Sequence, residues 1–138
     1  AHYYPQILDL PRQKGQVIVT ASPGELHEIG ARILADLLEL SGWDTYYTGA
    51  STPATSIVEL LVQTQARFLC ISTTLLESLP AVTELIAQVR AANLSPAPKI
   101  LVGGQAYLYA PGLWRQVGAD WFADSAHEGI RYIESIQP

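Results

Sequence analysis

Short apolar runs bounded by turn residues alternate along the chain with segments whose apolar residues recur every three or four positions. This is the pattern of strands and helices taking turns. Residues 16–21, 44–48, 67–72 and 99–102 are rich in β-branched or aromatic side chains and predict four strands, with the shorter 121–123 as a fifth. Ile29, Ile33, Leu34, Leu37 and Leu38 predict one helical face, stopped at Ser41-Gly42. A second helix opens at Thr52-Pro53, the proline suiting a first turn, and turns Ile57, Leu60 and Leu61 inward. A third starts at Leu79-Pro80 with Val82, Leu85, Ile86 and Val89 on its inner face, and ends before the prolines of 93–98. Shorter helices are predicted at 111–117 and 126–136.

Strands and helices in strict alternation predict an α/β domain, a flavodoxin-like (Rossmann-like) doubly wound sheet. Its five parallel strands take the order 2-1-3-4-5, with helices on both faces. Ligands of such sheets bind beyond the carboxyl ends of the strands where the winding reverses, here between strands one and three.

A chain of 138 residues with 49% hydrophobic content fits one globular domain. Thirteen acidic against eight basic residues give a charge of −5, and the basic residues are scattered, which argues against direct nucleic-acid contact. No apolar stretch approaches the roughly 20 residues that span a bilayer, so a soluble, cytoplasmic protein is expected. The single cysteine, Cys70, has no partner for an internal disulfide and sits in an apolar run that predicts burial. The chain has no methionine, which favours a piece of a longer protein. On that reading residues 1–15 are a linker or the remnant of a preceding domain, and 16–138 are the domain itself.

Candidate chemistry gathers at three strand ends. The first strand runs into Ser22-Pro23-Gly24-Glu25-Leu26-His27-Glu28-Ile29-Gly30, which places an imidazole where the first helix begins. Glu25 is placed to accept from its Nδ1–H and leave Nε2 free for a metal. By itself such a histidine is more often a helix-start residue than a ligand. After strand three stand the hydroxyls of Ser72, Thr73 and Thr74, able to line a slot or merely to satisfy a strand end. After strand four stands Gly103-Gly104, which either opens space against the sheet or makes a turn. Tyr107 either borders a ligand or packs on the sheet, and Asp124 and Ser125 follow strand five. His127, beside them, reads as a solvated helix-start residue. No glycine-rich phosphate loop, zinc-type cysteine pair or nucleophile elbow is present.

Together these residues resemble the cobalamin-binding domain family, whose Asp-x-His-x-x-Gly loop, Ser-x-Leu strand end and Gly-Gly pair hold the cofactor. The resemblance runs from about Val17 to Ile133. Its motifs stand here as Glu25-Leu26-His27-Glu28-Ile29-Gly30, Ser72-Thr73-Thr74 and Gly103-Gly104, with Glu25 in place of aspartate and Thr74 in place of leucine. Val117-Gly118-Ala119-Asp120 and the stretch from Trp121 to Asp124 look like the family's lead into its fifth strand and the loop beyond. The resemblance implies cobalamin, as adenosylcobalamin or methylcobalamin, held base-off with His27 as the lower axial ligand of cobalt. Gly24, Glu25, Leu26, Glu28, Ile29, Gly30, Ser72, Thr73, Thr74, Gly103, Gly104, Tyr107, Asp124 and Ser125 are implied to surround it. The Pro-Gly-Glu-x-His form looks like cobalamin-dependent photosensory and regulatory proteins, and implies a non-catalytic sensory module of a light- or cobalamin-responsive regulator. The alternatives are a corrinoid carrier domain of a methyltransferase or mutase, a haem-binding sensory domain of the same fold, and an interaction domain that kept only the fold. The implied partner is a helical-bundle or other domain over the upper corrin face. Without it cofactor binding is expected to be weak, and a homo-oligomer is compatible with the sequence.

Overall fold

The computed structural model describes residues 14–22 and 29–136. Within them the chain runs β1 (Gln16–Ala21), α1 (Ile29–Leu40), β2 (Asp44–Gly49), α2 (Ala54–Thr64), β3 (Phe68–Ser72), α3 (Leu79–Ala91), β4 (Lys99–Gly103), α4 (Leu113–Gln116), β5 (Trp121–Ala123) and α5 (Ala126–Ser135). Short 3-10 turns occupy Leu76–Ser78 and Gln105–Leu108. All strand pairs are parallel, in the order β2-β1-β3-β4-β5, which is the doubly wound topology expected from the sequence.

Both faces of this sheet are buried, so its strands read as nearly continuous apolar runs. On one face Ile18, Leu69, Ile71, Ile100 and Val102 pack with Ile57 and Leu61 of α2 and with Val82, Leu85, Ile86 and Val89 of α3. On the other, Val17, Val19, Phe68, Cys70 and Leu101 meet Ala31, Ala35 and Leu38 of α1 and Ile133 of α5.

Several boundaries differ from the sequence-based ones. Strand β2 reaches Gly49 and β4 reaches Gly103, because the ladder continues through Thr20↔Gly49 and Ser72↔Gly103. Pro53 is the N-cap of α2 in extended conformation (φ −61°, ψ 148°), one position earlier than a first-turn proline. The fourth helix is a single turn behind Gly112, whose φ of 81° ends the helix's reach towards Pro111. In α1 the strands are faced by Ala31, Ala35 and Leu38, and not by Ile33. Ala31 and Ala35 are buried while Ile33 is 48% exposed, since small side chains let the helix lie close and leave Ile33 pointing away.

A carboxylate braces the far edge of the sheet. Asp120 Oδ2 accepts the Ile100 N–H at 2.7 Å and the Arg90 guanidinium at 3.1 Å, while its own N–H donates to Ile100 O at 2.8 Å. Arg90 also donates to Gly118 O at 2.9 Å, tying α3 to the entry of β5. Ser125 caps α5 by accepting the Glu128 N–H at 3.2 Å. Among the described residues no helix is long and apolar enough to cross a membrane.

Candidate functional site

Parallel register sets Ala21, Ser72, Gly103 and Ala123 side by side in one row at the carboxyl edge of the sheet. All four point to the α1/α5 side, and none is large. The row behind it, one pleat deeper, carries Val19, Cys70 and Leu101. The helices above are trimmed in the same place, with Gly30 and Ala31 on α1 and Ala126 and Gly129 on α5. Small side chains on both walls leave a cleft of about 170 Å³ between sheet and helices, opening at the carboxyl edge.

The mouth is polar and the interior is not. Gly30, Ser72, Gly103, Gly104, Asp124 and Ser125 stand around the opening, and Val19, Leu34, Cys70, Leu101 and Gly129 line the depth. A Cβ added at Gly30 would lie 3.8 Å from Ser72 Oγ, and one at Gly103 would press on Ala123 O at 3.0 Å. Side chains at either position would occupy the entrance.

The loops that frame the mouth extend the ladder past the strands. Ser22 N–H donates to Ser72 O at 2.9 Å and Thr73 N–H to Gly103 O at 2.9 Å. Gly104 then turns the chain at φ 118°, so close to Thr73 that a Cβ there would lie 2.1 Å from the Thr73 carbonyl oxygen. Two buried hydroxyls at this end, Ser22 Oγ and Thr48 Oγ1, have no hydrogen-bond partner among the described residues. Thr48 interrupts the β1–β2 register, where Val19 pairs with Tyr47 and Thr20 with Gly49.

Gly129 is unusual, because glycine in a helix interior costs about 1 kcal/mol relative to alanine. A Cβ there would make ordinary contacts with Leu101 Cδ2 at 3.4 Å and Leu34 Cδ1 at 3.6 Å. Gly129→Ala is therefore expected to raise the thermal stability of the ligand-free protein, by about 0.5–1 kcal/mol in a melting experiment, while shortening the cleft. A loss of stability would mean that the space is not there.

Burial pushes the Cys70 thiol up to about 12. A group whose folded value lies above its unfolded one contributes stability that is present at neutral pH and lost as pH rises above the unfolded value, near 9 here. Stability should fall above that pH by up to about 1.4 kcal/mol per unit on account of this thiol. Urea midpoints of wild type and Cys70→Ala should diverge at neutral pH and converge on the alkaline side. Parallel profiles would refute the assignment.

The sequence-predicted residues fall in different places. Gly30, Ser72, Gly103, Gly104, Asp124 and Ser125 meet at the cleft mouth. Thr73 and Tyr107 lie on the opposite face of the sheet, with their hydroxyls 3.3 Å apart, and Tyr107 packs against Phe122 in that core. Thr74 stands half-buried beyond β3. Gly24, Glu25, Leu26, His27 and Glu28 lie outside the described residues, as do His2, Tyr3 and Tyr4, and Ile29 opens α1. His127 is exposed in the first turn of α5. The deep lining, namely Ala31, Leu34, Cys70, Leu101, Ala126 and Gly129, escaped sequence reasoning because it carries no reactive group. Its one signal is the small pair Ala126 and Gly129, three apart on a short helix. Among the described residues no cluster of three or more His, Cys, Asp or Glu could hold a metal ion.

Known proteins resemble this chain in sequence and in fold. Dimethylamine corrinoid protein 3 of Methanosarcina acetivorans is 26% identical over 133 residues, which is 93% of this chain and 61% of that protein. A cobalamin-binding protein from Desulfitobacterium hafniense superposes with a TM-score of 0.79 at 24% identity, covering 89% of this chain and 59% of the other. The methanol:cobalamin methyltransferase complex MtaBC of Methanosarcina barkeri gives a TM-score of 0.82 at 19% identity, covering 93% and 48%. At those identities the two structures speak for the fold alone, and the chain spans about three-fifths of the curated relative's length. The B12 binding domain family matches residues 15–130, nearly the whole described fold. The cofactor is therefore a corrinoid, haem draws no support from these relatives, and the chain belongs to the B12-binding domain family.

Proposed function

We propose that this chain is the corrinoid-carrying module of a methyl-transfer system, holding cobalamin base-off with its nucleotide tail in the cleft and His27 beneath the cobalt. The observation that carries the reading is the row of Ala21, Ser72, Gly103 and Ala123, with a small apolar cleft behind it at the ligand-binding edge of the sheet. A flat aromatic base fits a slot whose walls are glycine and alanine, and Ser72 Oγ at its mouth can donate to a ring nitrogen. The unpartnered hydroxyls of Ser22 and Thr48 at the same edge suit a ligand rich in amide groups. His27 stands three residues before Gly30, so the chain keeps it within about 11 Å of the cleft mouth. Glu25 is suited to hold its Nδ1 proton and so direct Nε2 to the metal.

Bound cobalamin supplies a cobalt able to take up and release a methyl group. The protein's part is to bind and orient. The cleft would hold the nucleotide tail, His27 would supply a nitrogen to the cobalt, and the hydrogen bonds of Ser22 to Ser72 and of Thr73 to Gly103 would brace the edge. Among the described residues the ionisable side chains of the cleft are the exposed Asp124 and the buried Cys70, and a partner protein would bring the second substrate. The carrier reading stands ahead of the sensory one suggested by Glu25-x-His27, because the curated relative is a corrinoid protein named for dimethylamine.

A direct test uses cobalt(II) cobalamin bound to uniformly 15N-labelled protein. The electron spin resonance lines split into triplets when a 14N of the cofactor's own base ligates, and into doublets when a protein 15N does. Doublets that vanish in His27→Ala are the expected result, and triplets throughout would refute the base-off form. Methyl transfer from the methylated protein to a corrinoid methyltransferase would then separate carrier from sensor. Photolysis of bound adenosylcobalamin with a change of oligomeric state would support the sensor.

A further inference from the structure

Resting on the tail-in-cleft reading, we infer that the cleft selects corrinoids by the chemistry of their lower base, accepting benzimidazoles and rejecting purines. The polar inventory decides this. Among the described residues, side chains offer the Ser72 hydroxyl and the exposed Asp124 carboxylate at the mouth, and in the depth only the Cys70 thiol, a weak partner. Ser125 Oγ is committed to the Glu128 N–H. The strand amides and carbonyls of the floor are spent in the parallel ladder, and those of the roof in α1 and α5, apart from first-turn N–H groups at the mouth.

The far end is closed by Leu34, Leu101 and Gly129, where a Cβ on Gly129 would touch both leucines. An entering base therefore meets polar groups at the mouth, near the ribose side, and hydrocarbon beyond them. A 5,6-dimethylbenzimidazole matches that gradient, with one free ring nitrogen for Ser72 and two methyls for Leu34 and Leu101. Adenine carries two further ring nitrogens and an exocyclic amine into the same space, where nothing is placed to receive them. Each polar atom buried without a partner lowers affinity about tenfold or more. The free corrinoids push the other way, because adenine binds cobalt more weakly and leaves it more readily. A preference for cobalamin is thus a property of the cleft.

The experiment titrates the full chain with hydroxocobalamin, with the hydroxo form of adeninylcobamide, and with cobinamide, which lacks the nucleotide. Kd is read by difference absorbance and calorimetry. Cobalamin is expected to bind at least tenfold more tightly than adeninylcobamide, and more tightly than cobinamide. In Leu34→Gln, which puts an amide on the half-buried helix wall, the gap should narrow to about threefold or less. Equal affinity for the two complete corrinoids, both above cobinamide, overturns the selectivity and leaves the tail-in-cleft reading intact. Equal affinity for all three, or no binding, removes that reading and the selectivity with it. A gap that persists in folded Leu34→Gln also overturns the inference, by denying the deep apolar end its role. Should that variant not fold, the wild-type comparison decides alone.

Discussion

Gly104→Ala is expected to lower the stability of the fold by at least about 4 kcal/mol, which is most of what an ordinary domain has to spare. Two effects combine. The backbone at φ 118° lies where side-chain-bearing residues are rarely found, and the added Cβ would stand 2.1 Å from Thr73 O and 2.8 Å from Thr73 C. Relief by retreat is blocked on every side. Thr73 N–H is held by Gly103 O at 2.9 Å, its carbonyl by the Ala106 N–H at 3.2 Å, and its hydroxyl lies 3.3 Å from that of Tyr107. Urea unfolding followed by far-ultraviolet circular dichroism is the measurement. A variant within about 1 kcal/mol of wild type would show that the turn is not built this way.

Asp120→Ala should cost about 2–3 kcal/mol, since a carboxylate bonded to a part-buried amide is worth more than a neutral partner. Its loss strands the Ile100 N–H and leaves the Arg90 side chain with its bond to Gly118 O. Asp120→Asn keeps an acceptor and should recover about half. Arg90→Ala should cost under about 1 kcal/mol, because that pair is largely exposed, with side chains 40% and 29% accessible. If Arg90→Ala proved the more damaging of the two, the weight given to the amide bond would be misplaced.

Strand positions and their order were legible because a sheet buried on both faces leaves uninterrupted apolar runs, and parallel connections leave few topologies to choose among. The mouth of the cleft was legible for a related reason. Ser72, Gly103 and Gly104 announce themselves as polar or missing side chains at strand ends, where α/β folds keep ligands. What failed to show was the interior, because Val19, Cys70 and Leu101 look like any core residue until the register lays them in one row. Tyr107 illustrates the opposite difficulty. Its position four residues past strand four is compatible with either sheet face, and only the 3-10 turn at Gln105–Leu108 decides that it joins Phe122. The exposure of Ile33 was hidden for the same reason, since periodicity marks a helix's apolar arc without saying which part of it touches the strands.

The two layers of helices hold the sheet unequally, like a vice with one fixed jaw. On the α2/α3 side large aliphatic side chains interlock from end to end, whereas α1 and α5 meet the sheet through alanine and glycine near its carboxyl edge. A guest thicker than the cleft would have to prise α1 and α5 away from the strands, working against Leu38 and Ile133 farther down. Thickness is thus limited by leverage on that second pair of helices, and the opposite side of the molecule needs no adjustment when the slot fills or empties.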